Sequence, residues 1–242
     1  MKIARGSTEE GGRTYDVAMT TSGGSARTGR RPNRRGESSR KHVLDVALKQ
    51  LASGGPDAVS VKLIAKEANV TWGTIQYQFG DADGFWAATI LHILDTAGPD
   101  VWAHPSAGSV EDRVAEIIDL LWNAYGSPYN AALSNLRAAL AKDRTELERN
   151  YPCTASALDV LEDALIKQFR EFFDGVTVDP RRARQVSALL PAALRGLHAE
   201  RAFGPRIDID DALGGLRAAI TLYMTAAPAS ARQAATKRRS QA

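Results

Sequence analysis

Apolar residues return every three or four positions through most of the chain, which is the spacing of a single helix face. Val43, Leu44, Ala47, Leu48 and Leu51 form one such stripe and predict a helix over 39–53, with Ser38 or Ser39 at its N-terminus and Gly54-Gly55-Pro56 at its end. A glycine there is expected to take the left-handed position that closes many helices. Ser60 is suited to cap a short helix over 61–68 that turns Val61, Ile64, Ala65 and Ala68 inward, and Asn69 to stop it. Val70 precedes a second cap, Thr71, for a helix over 71–78 closed by Phe79-Gly80; Asp81 caps a fourth over 82–97.

The helical period persists beyond a loop at 98–108. It predicts helices over 109–125, 129–141, 152–174, 180–203 and 209–226, with Pro128, Pro152 and Pro180 at or near three of the starts, where a missing N–H costs nothing. Pro191 falls inside one of them and is expected to kink it. Two segments lack any apolar period: the Gly-, Ser-, Thr- and Arg-rich residues 1–36 and the basic residues 228–242, both expected to be disordered. The fold class is therefore all-α.

Charge changes the picture through its distribution. Residues 1–36 carry eight basic side chains against three acidic ones, residues 81–228 carry fourteen against twenty-one, and residues 229–242 carry four and no acid. An acidic body with basic ends points to a polyanion partner at one end, and Arg27, Arg30, Arg31, Arg34 and Arg35 form an arm suited to phosphates or a minor groove. The one cysteine, Cys153, excludes an internal disulfide and a multi-cysteine zinc site. No apolar run approaches the roughly 18 residues that a membrane span requires, and no secretory signal is visible, so a cytoplasmic protein is expected.

Three short helices with tight turns suggest a helix-turn-helix. On a wheel of about 100° per residue, Ile75 and Phe79 point into the core. Gly73 and Tyr77 point away from it, with Thr74 and Gln76 on the flanks and Trp72 and Gln78 at the edge nearer the core. The outward face suits a duplex. Gly73 lets the backbone approach, Thr71 and Thr74 can donate to phosphate, Gln76 can pair with adenine, and Tyr77 offers a hydroxyl. Arg40, Lys41, Ser60 and Lys62 supply further backbone contacts in this reading.

These residues resemble the DNA-binding domain of the tetracycline-repressor-like (TetR/AcrR) regulators. The resemblance runs over residues 37–95 and is densest in Gly73-Thr74-Ile75-Gln76-Tyr77-Gln78-Phe79. The family pattern there is roughly G-T-hydrophobic-Y-Y-H-F followed by a lysine, so Gln76, Gln78 and Ala82 depart from the usual tyrosine, histidine and lysine. The resemblance implies a helix-turn-helix domain at 37–84 and a helical effector-binding and dimerisation domain at 85–227. It also implies a homodimer on a palindromic operator, most often a repressor released by a small molecule.

For the last two helices the resemblance implies pairing with a second subunit through Leu189, Leu194, Leu197, Leu213, Leu216, Ile220 and Tyr223. For the middle ones it implies an effector pocket, with Trp122, Asn123, Tyr125, Arg137, Phe169, Phe173 and His198 as candidates for a small apolar or amphipathic ligand. His42, His92, His104 and His198 form no metal-binding pair within a helix, and the acids at 208, 210 and 211 suit a helix start. No phosphate-binding loop, nucleophile elbow or dinucleotide fingerprint is present, so neither cofactor nor metal is expected. Cys153 near a helix start is weighed as a thiol of lowered pKa or, more simply, a neutral structural residue. Two other functions remain open: an architectural DNA binder driven by the basic ends, and an all-α small-molecule binding protein or enzyme.

Overall fold

The computed structural model describes residues 34–98, 103–204 and 206–226. The basic arm up to residue 33 and the tail from residue 227 lie outside the described residues. Among the described residues there are ten helices, a short 3-10 turn and no strand. They are α1 (Arg34–Ser53), the turn Pro56–Ala58, α2 (Val61–Glu67), α3 (Trp72–Phe79), α4 (Ala82–Thr96), α5 (Val110–Tyr125), α6 (Pro128–Leu140), α7 (Arg144–Asn150), α8 (Pro152–Glu171), α9 (Pro180–Phe203) and α10 (Ile209–Thr225).

The predicted caps form. The hydroxyl of Ser60 accepts from the Leu63 N–H at 3.4 Å, that of Thr71 from Thr74 at 3.2 Å, and the Asp81 carboxylate from Gly84 at 2.8 Å. Asn69 takes a positive φ of 52°. Its own N–H bonds to the Lys66 carbonyl and that of Val70 to Ala65, which closes α2 by the Schellman arrangement.

Three points differ from the sequence expectations. The first helix starts at Arg34, so Ser38 and Ser39 lie inside it and cap nothing. The glycines after it are not left-handed. A Cβ on Gly54 would instead collide with that of Ala58, so the small residue is demanded by the tight return of the chain. α7 was not predicted, because its sequence Arg-Thr-Glu-Leu-Glu-Arg-Asn buries only Leu147; an Asp143 cap and packing on α8 hold it. The helix predicted over 180–203 forms as α9, with Pro191 inside it and buried.

Two apolar cores organise the bundle. The first begins under α1–α3 with Val43, Leu51, Ile64 and Ile75 and continues through Phe85 and Ile90 of α4 to Leu136 of α6 and Leu158 and Leu161 of α8. The second joins Val114, Ile117 and Ile118 of α5 to Phe172 and Phe173, to Leu190 and Leu194 of α9 and to Leu213 and Ile220 of α10. Leu194, Leu213 and Ile220, expected at a subunit interface, are thus core of their own chain, with exposures of 0%, 5% and 5% that leave no surface for a partner. Leu197 and Leu216 are half-buried against the same core, whereas Leu189 and Tyr223 are exposed.

Side chains from remote elements finish three helix ends, where backbone groups lack intrahelical partners. The Asn135 amide of α6 donates to the Leu51 and Gly54 carbonyls at the end of α1, at 2.8 and 2.6 Å. Asp83 of α4 accepts from the first N–H groups of α8. Arg113 of α5, 4% exposed, donates to the Phe172 and Asp174 carbonyls beyond α8, at 2.9 and 2.8 Å, and through Nε to the Ala107 carbonyl. Those of Asp83 and Arg113 are charge-assisted, and all three satisfy groups that burial would otherwise strand.

Candidate nucleic-acid interface and cavity

α3 owes its orientation to two anchors. Ile75 is fully buried in the first core, and Phe79 packs edge-on against Phe85 at 5.1 Å between centroids. The opposite face is free. Tyr77 is 91% exposed, and Gly73, Gln76 and Thr71 are exposed beside it, with Thr74 at the margin. Thr71 and Thr74 also share a hydroxyl–hydroxyl hydrogen bond of 3.0 Å at the helix start. A Cβ on Gly73 would meet only the Thr71 hydroxyl, at an ordinary 3.6 Å, so the chain's own packing does not require glycine there. Trp72 is 43% exposed at the leading edge.

Other candidates for the duplex stand differently. Gln78 turns back to α1, where its Nε2 donates to the Ser39 hydroxyl at 3.2 Å and its Oε1 is buried without a partner. Arg40 stacks 4.2 Å above the Phe79 ring and donates to the Gln78 carbonyl at 2.6 Å. Both residues therefore brace α1 against α3 in this conformation. Lys41 is exposed but paired with Asp45 at 2.7 Å, while Lys62 is exposed on α2 and Ser60 serves as its cap. Burial pushes the Asp45 carboxyl up, yet the hydrogen bonds from Lys41 and from His92 of α4 outweigh it and hold the pKa below its ordinary value.

A cavity of about 130 Å³ lies among α4, α5, α6, α8 and α9. Its walls are apolar: Ile93 and Leu94, Leu120 and Leu121, Leu133, Leu161, Leu165, Phe169 and Phe172. Of the predicted pocket residues, Tyr125, Arg137 and Phe169 line it. Trp122 and His198 do not line it. They stack on each other with ring centroids 4.1 Å apart, and His198 Nε2 lies 3.1 Å from the Trp122 carbonyl. Asn123 is exposed, and Phe173 borders a separate open hollow of about 560 Å³ between the end of α8 and the start of α9. The sequence reading missed Asn130 and Leu133 of α6 and Arg195 of α9, which only the packing of these helices brings to one space.

Cys153 is exposed, and its thiol is pushed up by its hydrogen bond to Asp83, by that residue's charge and by burial. The helix-start argument for a reactive thiolate fails because a carboxylate already occupies that helix start. Among the described residues no three His, Cys, Asp or Glu side chains gather as a metal site, and no helix is long and apolar enough to cross a membrane.

A helix-turn-helix head continuous with a helical body that encloses an apolar cavity is the build of a DNA-binding transcription regulator. Residues 43–97 match the family model of bacterial regulatory proteins, tetR family. The chain is similar to the HTH-type transcriptional regulator BetI of Burkholderia ambifaria, at 26% identity over 66% of this chain and 80% of that one. It is also similar to BetI of Burkholderia thailandensis, at 31% identity over 32% and 40% of the two chains. In fold it resembles a transcriptional regulator from Rhodococcus sp. Rha1, with a TM-score of 0.58 and 18% identity over 78% of this chain and all of that one. Residues 43–97 thus form a domain of the tetR family of bacterial regulatory proteins, which marks the chain as a DNA-binding regulator.

Proposed function

We propose that this regulator is a homodimeric repressor that reads a palindromic operator with α3 and leaves it when a small molecule fills the cavity. The observation that carries the proposal is the division of α3: Ile75 and Phe79 are spent on the core, while Gly73, Gln76 and Tyr77 are exposed and make no side-chain hydrogen bond among the described residues. In a major groove, Gln76 would pair with a base edge, Tyr77 and Thr74 would reach phosphate or thymine methyl, and Thr71 with the helix N-terminus would hold a phosphate. Lys62 adds a cation from α2. Residues 37–84 act as the reading head and 85–227 as the regulatory body.

Support for a dimer comes from the outer faces of α9 and α10. Gly196, Gly214 and Gly215 sit inside helices although a Cβ at each would meet nothing within 4 Å. Glycine costs about 1 kcal/mol against alanine in a helix interior, and nothing within the chain requires that loss. Exposed Ala218, Ala219 and Leu222 continue the same face, and Leu189 is exposed on α9. Small residues there allow a second copy to approach closely, with the reading helices of the dimer about 34–36 Å apart.

Release would require the effector to favour a different spacing by a coupling of order 1–3 kcal/mol. A repressor acting on chromosomal DNA works in the cytoplasm. The test is a gel shift with DNA upstream of the protein's own locus at physiological salt. A specific complex is expected with the folded dimer and is expected to vanish with Tyr77→Ala; a folded dimer that forms no specific complex would sink the proposal.

A further inference from the structure

The polar groups of the cavity carry a definite charge preference. No acidic side chain lines it, whereas two arginines do. Arg137 is neutralised by Glu162, which lies outside the lining, at 2.5 Å. Arg195 makes no hydrogen bond or ion pair among the described residues; its guanidinium lies 6.0 Å from the centre of the Tyr125 ring. Tyr125 itself lines the cavity, and its hydroxyl makes no hydrogen bond among the described residues. Burial pushes its pKa up against the pull of Arg195 and Arg137, so it stays a neutral donor at physiological pH. A cation without an ion-pair partner among the described residues and a phenol therefore share a largely apolar space whose other polar lining is neutral (Ser127, Tyr129, Asn130, Ser134, Gln168) apart from the paired Arg137. Arg195 is exposed, so water satisfies it until an anion displaces that water.

Accepting that the cavity is the effector site, we propose that its effector is a small organic anion: an apolar body against Leu133, Leu161, Leu165 and Phe169, and a carboxylate that accepts from Arg195 and the Tyr125 hydroxyl. Size narrows the class. A volume of about 130 Å³ is close to the roughly 150 Å³ of an engineered cavity that takes up benzene. One ring or a short branched chain fits the apolar end, and the exposed position of Arg195 leaves the carboxylate at the mouth. Organic cations are disfavoured, since the one uncompensated charge at the space is the Arg195 guanidinium and no carboxylate lines it. A neutral ligand of the same shape would leave Arg195 unpaired.

The experiment compares benzoate, benzamide and benzylamine, three single-ring probes differing in charge, by calorimetric titration and thermal melting of the full-length dimer. Benzoate is expected to bind and raise the melting temperature in proportion to its concentration, and benzamide to bind at least tenfold more weakly, the scale of one charge-assisted hydrogen bond. Benzylamine is expected to give no signal. Arg195→Gln should weaken benzoate about tenfold and leave benzamide unchanged. Arg195→Lys should recover part of the loss, and Tyr125→Phe should cost a few-fold.

Benzamide or benzylamine binding as tightly as benzoate would overturn the anion assignment and leave the cavity as the effector site. Full benzoate affinity in Arg195→Gln would overturn the role of Arg195. If none of the three binds, the anion assignment and the effector-site reading fall together.

Discussion

Asp83 and Thr154 join the reading head to the body across 71 residues of chain. Thr154 gives the Asp83 carboxylate its backbone N–H at 2.8 Å and its hydroxyl at 2.7 Å, while Cys153 gives its N–H at 2.8 Å. α8 begins with Pro152, which has no N–H, and its own N-cap residue, Tyr151, offers no side-chain cap. Asp83 therefore performs for α8 the task an N-cap aspartate performs for its own helix. Because α8 also supplies Leu161, Leu165 and Phe169 to the cavity wall, one rigid element links the cavity to the first turn of the helix that follows α3.

Removing that cap should loosen the joint. Asp83→Ala is expected to destabilise the protein by about 2 kcal/mol, the loss of a cap plus hydrogen bonds to a charged acceptor. Thr154→Val should cost about 1 kcal/mol, because the two backbone N–H groups keep their acceptor. Urea denaturation of both variants checks the order. A smaller loss for Asp83→Ala than for Thr154→Val would contradict the capping role.

The same carboxylate makes stability depend on acid. Burial pushes Asp83 up, but the hydrogen bonds from the Thr154 hydroxyl and the two N–H groups outweigh it, leaving its pKa below the ordinary value. A carboxyl whose pKa is depressed on folding stabilises fully above its unfolded-state value of about 3.9 and loses that contribution as pH falls through the lower folded value. The stability gap between wild type and Asp83→Asn should therefore be constant from pH 6 to 8 and shrink below about pH 4. Denaturation midpoints across that range measure it.

At α3, stability and DNA binding should separate. Gln76→Ala and Tyr77→Ala lie on the exposed face and are expected to change stability by no more than about 0.5 kcal/mol while abolishing the specific complex. Ile75→Ala, fully buried, should cost about 2–4 kcal/mol. Circular dichroism melts alongside gel shifts separate the two effects.

On α10, Gly215→Leu puts a bulky side chain where a Cβ meets nothing in the chain. The variant should keep its helix content, because leucine is the better helix former, and should sediment as a monomer. A dimer that survives this substitution would place the subunit interface elsewhere.

Gln78 shows where the one-dimensional reading stops. On the wheel it sits at the edge of the DNA-facing surface, and by family pattern it replaces a histidine. In the folded chain it bonds to Ser39, 39 residues earlier. Arg40 likewise has the charge for a phosphate, yet stacks on Phe79. Leu194, Leu213 and Ile220 fit a subunit interface by composition but were claimed by the core of their own chain. In each case the residue type was right and the neighbour came from a distant helix.

What the sequence by itself determined is local. The 3.6-residue period, the Ser60, Thr71 and Asp81 caps, the stop at Asn69 and the inward and outward faces of α3 depend on interactions within a turn or two of chain. They hold whatever the rest of the molecule does. Tertiary structure alone decided which side of α9 and α10 faces inward, which side chains from five helices enclose the cavity, and that Asp83 and Asn135 finish helices other than their own. Those choices depend on how rigid helices pack, and a helix end left bare by its own sequence accepts any group of suitable polarity that packing brings within reach.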